Sequence, residues 1–429
     1  MASSTRSPPR MPTSQSWAST IRALGAPGEA KGRRLEDLVV ILGGCSTVTP
    51  MTTASNNGRF RLATSGEKPT NPANRFGVDY SKEAARLPAP PCPIIDIHAH
   101  TNGAQAGKIY SKVADQFGVS RVYTMVRLGD AKMVRETLGD RVRFIAFPDF
   151  RADRAKAMRE GFLADIQSFH DDFGARMIKL WNAPRMHDYF DAESGRDCVG
   201  FDSEWRFRHA ALADKLGMMI MVHVADPDTW FKTKYSNALK YRLKPDHYRP
   251  LRQMIDRFPR PWLLAHMGGS PENLPFLSEL LTSHQNVYLD TSATKWIVRE
   301  LSRHPKDEVV EFFERWRGRI VFGSDIVSVD EHLAPKKEPS NHPMAELADS
   351  PEKAFDLYAS RYWALRAMFE TDYEGESPIA DPDLAMVEPE RFGPMDAPRL
   401  QGLGLPKDLL KVMFHDAAAA MLAKVGERP

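Results

Sequence analysis

Cysteine is scarce in this 429-residue chain, which has only Cys45, Cys92 and Cys198. Three thiols, unevenly spaced and without a CxxC pair, argue against a disulfide framework and a cysteine-held structural zinc. They suit a reducing, cytoplasmic setting. Neither sign of charge is in excess: 58 Lys and Arg face 56 Asp and Glu, a formal net charge of +2. Nothing in that balance draws the chain toward nucleic acid or an anionic membrane, and the basic residues are interspersed with acids. No run approaches the roughly 20 apolar residues of a transmembrane helix. Also missing are a phosphate-gripping P-loop and a Gly-rich fingerprint after the first apolar strand. With 42% hydrophobic and 27% charged residues, the chain has the composition of a soluble globular protein.

The first 90 residues differ from the rest. Residues 1–28 carry Arg6, Arg10 and Arg22, many Ser and Pro, and no Asp or Glu, as in a disordered leader or an organellar transit peptide. Leu38–Leu42 followed by Gly43-Gly44-Cys45 is a faint match to a lipoprotein cleavage site, but the run is short and abuts Glu36 and Asp37. Met51 offers an alternative start, with residues 1–50 as an upstream extension. The stretch Met51–Pro91, rich in Asn, Ser, Pro and Gly, reads as a loose arm. We therefore divide the chain into residues 1–90, a disordered leader or extension, and one domain over 91–425.

From Pro93 onward short apolar runs alternate with amphipathic stretches. The predicted strands are Ile94–His98, Arg121–Val126, Phe144–Phe147, Arg176–Leu180, Met218–Val224, Trp262–His266, Val287–Asp290 and Ile320–Gly323. Such runs suit parallel strands buried on both faces. Predicted helices include Ala155–Phe173, Phe207–Leu216, Leu274–Leu281 and Lys306–Trp316. Eight strands with helical returns predict a (β/α)8 TIM barrel, here with a C-terminal helical extension; a doubly wound sheet is the alternative. Long connections at 182–204, 225–249 and 326–350 all follow strands, where a barrel builds its active face.

Polar residues at strand ends carry the chemistry. His98 and His100 lie two apart in a strand and so point the same way, able to offer two imidazoles to one ion. His223, His266 and Asp325 close or follow three further apolar runs. A single one reads as a satisfied buried histidine or a helix cap. Together they predict a metal site at one end of a barrel. Trp181, Arg185, Trp230, Lys295 and Arg299 follow strands and are candidates for a rim that holds an aromatic or carboxylated substrate.

The set His98-x-His100, His223, Ala265-His266-Met267-Gly268-Gly269 and Phe322-Gly323-Ser324-Asp325 resembles the amidohydrolase superfamily. It looks most like the amidohydrolase-related branch that includes aminocarboxymuconate semialdehyde decarboxylase. The resemblance covers about Pro93–Asp325 and extends to a last helix at Asp416-Ala417-Ala418, where relatives usually have Asn-Ala; residues 371–404 have no counterpart. It implies that His98, His100, His223 and Asp325 ligate one divalent ion, most often zinc, with manganese or iron(II) as alternatives. It also implies that His266 polarises the substrate oxygen or the water and that Asp325 shuttles the proton. Lys179 is open: some superfamily members carry a carboxylated Lys on the fourth strand bridging two metals, whereas a rim lysine would bind a substrate anion or simply meet solvent. Asp96 shares the histidines' parity and suits a supporting hydrogen bond.

The resulting expectation is a metal-dependent hydrolase acting with activated water on an amide, ester or lactone of a small molecule. Non-oxidative decarboxylation of a carboxylated aromatic or semialdehyde is the close alternative, and a non-catalytic metal-binding barrel the distant one. Homo-oligomerisation is left open.

Overall fold

The computed structural model describes residues 60–62, 71–151, 153–335 and 343–428. The apolar runs become one parallel sheet: β1 (Ile94–Asn102), β2 (Val119–Met125), β3 (Val142–Ala146), β4 (Met177–Trp181), β5 (Met219–His223), β6 (Trp262–Leu264), β7 (Val287–Asp290), β8 (Ile320–Val321) and β9 (Ile326–Val329). Each strand pairs with the next in chain order through β8, and β9 pairs with β1. Helical returns between strands make that parallel order possible.

β8 and β9 are the two halves of an eighth barrel strand. The first half pairs with β7 and the second with β1. Between them the chain leaves the ladder yet still bonds to β1: Ile97 N donates to Phe322 O at 3.0 Å, and Asp325 N donates to His98 O at 2.7 Å. Those bonds close the ring, so the architecture is the expected (β/α)8 barrel. The sequence ends this strand at Gly323, but it resumes at Ile326, because a left-handed residue at Asp325 (φ 59°) redirects the chain instead of ending it. The sixth strand is shorter than expected. It stops at Leu264, and His266 and Met267 turn left-handed (φ 58° and 48°) ahead of Gly268 and Gly269.

Alternation along the strands divides the core. Ile95, Ile97, Met125, Ile145, Met177, Met219, Met221, Leu263 and Val321 point inward, where the C-terminal helix Ala417–Ala423 brings Ala417, Ala418, Met421 and Leu422 against them. Lys424 reaches Tyr288 near the start of β7, so this helix plugs the end opposite the long strand-following loops. The other parity, including Val122, Phe144, Ile178, Leu180, Ile220, Val222, Trp262 and Leu289, packs against the outer helices.

Residues 71–90 are not the loose arm that their composition suggests. Asn71 and Asn74 donate to Asp356 at 3.1 and 3.0 Å, and buried Tyr80 donates to Ala73 O at 3.0 Å. The short helix Tyr80–Arg86 starts at Asp79, whose side chain accepts from Ser81 N and Lys82 N. Asn and Asp here cap and anchor, a use that composition alone does not reveal. The leader, the Gly43-Gly44-Cys45 segment and most of Met51–Thr70 lie outside the described residues. Among the described residues no helix is long and apolar enough to cross a membrane. Residues 371–404 form a compact excursion, with an antiparallel pair of strands, Glu374–Glu376 and Arg399–Gln401, and between them a helix Pro382–Val387 capped by Asp381.

Buried His209, on the helix Glu204–Lys215, donates from Nε2 to Arg159 O at 2.8 Å and leaves Nδ1 without a partner. Burial, then neighbouring Arg206, pushes its pKa down to about 3. Free histidine takes its proton near 6.5, so below that pH the unfolded chain binds more protons and the folded state loses ground as pH falls. In a His209→Gln variant, which keeps a donor for Arg159 O, the decline in denaturant-unfolding free energy from pH 6 to 4 should be shallower by up to about 1.4 kcal/mol per pH unit. An unchanged slope would show that His209 does not govern acid sensitivity.

Candidate active site

Strand ends at one mouth of the barrel deliver the polar residues. β1 carries His98 and His100, and Asp325 lies in the break of the eighth strand. Asp325 Oδ1 lies 3.3 Å from His98 Nε2 and 3.2 Å from His100 Nε2. One donor atom from each of these three residues falls within 4.8 Å of the others; His98, His266 and Asp290 form a second such group. The His98 ring centroid is 5.1 Å from that of His266, and His266 is 4.6 Å from His223.

Asp290 at the end of β7 orients this cluster. Its Oδ2 is 2.9 Å from His98 Nδ1, and its Oδ1 accepts from His266 N at 2.8 Å, from Ser292 N at 3.0 Å and from the Ser292 hydroxyl. A carboxylate only accepts, so His98 carries its proton on Nδ1 and offers the Nε2 lone pair to the site. Ser292 gives its own proton to Asp290, so its oxygen accepts from His266 Nδ1 at 2.8 Å. His266 therefore also presents an unprotonated Nε2. With four donors already on its two oxygens, Asp290 is an orienting carboxylate of the kind that stands behind metal-bound imidazoles.

Burial opposes ionisation of Asp325, but His98, His100 and His266 outweigh it and hold the carboxyl well below its usual range. Asp290 is likewise held low, with burial overcome by His98, His266 and Lys179. Burial, reinforced by neighbouring charge, depresses His98 and depresses His266 further, so both rings stay neutral. The site thus contains ionised carboxylates and neutral imidazoles, with His98 Nε2 and Asp325 Oδ1 facing each other as acceptors at 3.3 Å. Two lone pairs at that distance repel unless positive charge offsets them; Lys179 Nζ, 3.3 Å from His98 Nε2, supplies some of it, and the donor set also fits a divalent ion.

His223 stands apart from these groups. Its Nε2 donates to Asp226 Oδ1 at 2.6 Å, and Asp226 Oδ2 accepts from Tyr235 OH at 2.5 Å. Lys179, 3% exposed on β4, points into the site with Nζ 3.3 Å from His98 Nε2, and burial lowers its pKa to about 8. The Trp181 ring lies 6.4 Å from His223. Arg185 is half-buried on the turn Pro184–Asp188. Trp230 reaches the mouth through Trp296, whose ring is 6.0 Å away. Arg299 is not on the substrate rim. Its guanidinium is 1% exposed and is taken by Glu300, Asp381 and Asp383.

Sequence reading missed Asp290, Ser292, Asp226 and Trp296. The signal for Asp290 was its position at the end of a predicted strand, like the residues that were singled out. Asp96 has the supporting place expected of it. It accepts from His98 N and Ser324 N, each at 3.1 Å, from Ser324 Oγ at 2.6 Å and from Tyr362 OH at 2.7 Å.

A (β/α)8 barrel with histidines and carboxylates gathered at its strand ends defines the class: a metallohydrolase-type barrel. The chain belongs to the amidohydrolase family, whose profile matches residues 95–424, and it is thus an enzyme of the amidohydrolase superfamily. Among solved structures it is similar to a dihydroorotase from Saccharomyces cerevisiae in complex with 5-fluoroorotic acid, at 13% identity over 78% of this chain and 84% of that one (TM-score 0.41). It is also similar to a D-hydantoinase, at 14% identity over 56% of this chain (TM-score 0.34), and to a D-hydantoinase from a Bacillus sp. AR9, at 15% over 56% (TM-score 0.32). The chain spans 58% and 59% of the lengths of those two hydantoinases. No curated protein matches it.

Asp290→Asn should test the orienting role. In either amide orientation an N–H faces an existing donor, and with Nδ2 toward His98 the imidazole proton moves to Nε2. Metal affinity, measured by chelator competition, should fall about 10- to 100-fold while the fold persists. Unchanged affinity would remove Asp290 from the supporting network.

Proposed function

We propose that this chain is a metal-dependent hydrolase acting on a C–N or C–O bond, in an amide, ester or lactone, of a small substrate. The observation that carries this reading is the convergence of His98, His100 and Asp325, with His98 Nε2 and Asp325 Oδ1 aimed at each other as acceptors. In this reading those three residues would hold one divalent ion, zinc in the first instance, with His223, which lies outside their cluster, as the expected fourth ligand. His223 Nε2 donates a hydrogen bond to Asp226, so its free lone pair is on Nδ1, the atom it would offer to the ion. The ion supplies Lewis acidity, which makes a water ionisable near neutral pH.

The chain's own groups handle the proton. Asp325, ionised in the site, accepts it at a carboxylate oxygen and passes it to the leaving group. His266 is fixed with its proton on Nδ1 toward Ser292, so Nε2 is free to accept a hydrogen bond from the attacking water. That tautomer favours action on the water over polarisation of the substrate oxygen. Asp290 holds both rings in register throughout, which keeps the reacting geometry assembled before substrate arrives.

A second reading is favoured by Lys179, which lies within hydrogen-bond distance of a proposed ligand. In it Lys179 is carboxylated and bridges two ions, the second held by His223 and His266. Metal stoichiometry on purified protein separates the two: one equivalent is expected, and two, falling to one in Lys179→Ala, would establish the bridged site. For the mononuclear site, His98→Ala and Asp325→Ala should lose metal and activity with the barrel still folded. His266→Ala should lose activity but retain metal. Full metal occupancy in Asp325→Ala would overturn the ligand set. Hydrolysis and decarboxylation share these ligands, so products decide. Turnover of an ester, lactone or amide panel is expected, and carbon dioxide release from carboxylated aromatics would instead favour decarboxylation.

A further inference from the structure

The excursion 371–404 places one carboxylate behind the mouth of the barrel. Asp383, in the helix Pro382–Val387, is 7% exposed. Its Oδ2 accepts from Trp230 Nε1 at 2.9 Å, from Trp296 Nε1 at 2.9 Å and from Arg299 Nη1 at 3.2 Å. The two indoles come from different loops: Trp230 follows β5, and Trp296 lies in the helix Thr294–Leu301 that follows β7. A single oxygen therefore ties two active-face segments to the excursion.

Arg299 does not require this third carboxylate, because Asp381 and Glu300 already pair with it. What Asp383 alone does is fix the indoles. An indole has one polar atom, a donor, and in both rings that atom is spent on Asp383. The rings sit 6.0 Å apart at 71°. Trp296 stands edge-on to His266 at 5.6 Å and to His223 at 6.2 Å. Both tryptophans are only half-buried, and neither ring has a hydrogen-bonding group left to offer a ligand. A rigid aromatic surface of that kind favours stacking or edge contact with another flat ring over a puckered saturated one.

We infer that Asp383 is a positioning residue for specificity, clamping Trp230 and Trp296 into an angled apolar wall, the edge of one ring against the face of the other, beside His223 and His266, that receives a planar, unsaturated ring of the substrate. The inference rests on the reading above that these histidines mark the reaction site. Two probes of equal charge that differ in planarity test it: 2-naphthoate and decahydro-2-naphthoate, titrated against the metal-loaded full chain by tryptophan fluorescence. The native protein should bind the flat probe about 10-fold more tightly, and Asp383→Ala should bring the ratio near one. The circular dichroism of the coupled indole pair should fall in the same variant, a change that general destabilisation without loss of the pair would not produce. Asp383→Asn, whose amide oxygen still accepts from the indoles, should keep most of the preference. Trp296→Leu should lose it with Asp383 intact, which covers the case of an Asp383→Ala protein that does not fold. On 2-naphthyl acetate, Asp383→Ala should raise KM with kcat little changed. Equal binding of both probes by the native protein, or an undiminished preference in folded Asp383→Ala, would overturn the inference. Failure of the native enzyme to hydrolyse the acetate, with the binding preference present and lost in Asp383→Ala, would count against the hydrolase reading and leave the wall standing.

Discussion

Two backbone hydrogen bonds at the seam of the barrel set everything at its mouth. Ile97 N to Phe322 O and Asp325 N to His98 O join the first strand to the break in the eighth. The second bond ties the backbones of His98 and Asp325 directly, so residues of the first and eighth barrel strands meet at a distance fixed by the chain itself. Asp96 secures the same seam from below. Its two oxygens accept from both sides of the seam, from His98 N on β1 and from Ser324 N and Oγ in the break of the eighth strand. Burial raises its pKa to about 6, and only this number of donors makes a carboxylate tolerable there.

The mouth is also where the backbone is strained. Of the five non-glycine residues with positive φ among those described, His266, Met267, Ala293 and Asp325 all follow strands six to eight at this end. Each such residue costs about 1–3 kcal/mol and persists only where its surroundings over-determine it. The surroundings are visible here. His266 N and the Ser292 side chain are both bound to Asp290, and Asp325 N is bound to His98 O. Next to the strained pair, Gly269 (φ 72°) passes so close to the Ala225 carbonyl that a Cβ would collide with it. The run His266-Met267-Gly268-Gly269 is thus a sharp left-handed turn that aims an imidazole inward, and its glycines are required by φ and by close approach.

Those two facts explain what was legible in the sequence. Strand number, order and the barrel were legible because buried parallel strands are apolar throughout and differ plainly from their helical returns. His98 and His100 were legible because a period of two puts them on one face. His266 and Asp325 were found by position at strand ends, although the conformations that aim them are invisible to periodicity. Asp290 was passed over because its strand ends on an ordinary Asp, and its role appears only when β1 and β7 bring it against His98 Nδ1. Residues 71–90 were misread for a related reason. Asn71, Asn74 and Asp79 are turn formers in composition, and only the helix Pro351–Glu370 supplies the partner, Asp356, that turns a loop into a fixed cover.

The excursion at 371–404 follows the same logic from the outside of the barrel. Arg299 is buried and nearly inaccessible, a position in which a guanidinium is costly without full pairing. Asp381 arrives from a segment more than 80 positions away in the chain to pair with it alongside Glu300, and Asp383 comes in on the same segment. Docking the segment is therefore a condition for burying Arg299, and once it is docked Asp383 stands where two indoles can reach it. A single ion-paired anchor thereby couples the folding of a surface excursion to the shape of the wall beside His266. The strained strand ends can be held by local bonds because their partners are neighbours in the barrel. The indole pair is not set by strand pairing, since Trp230 and Trp296 belong to separate helical segments that follow β5 and β7. Its geometry has to be set by a group from a third element, and the buried arginine is what brings that element in.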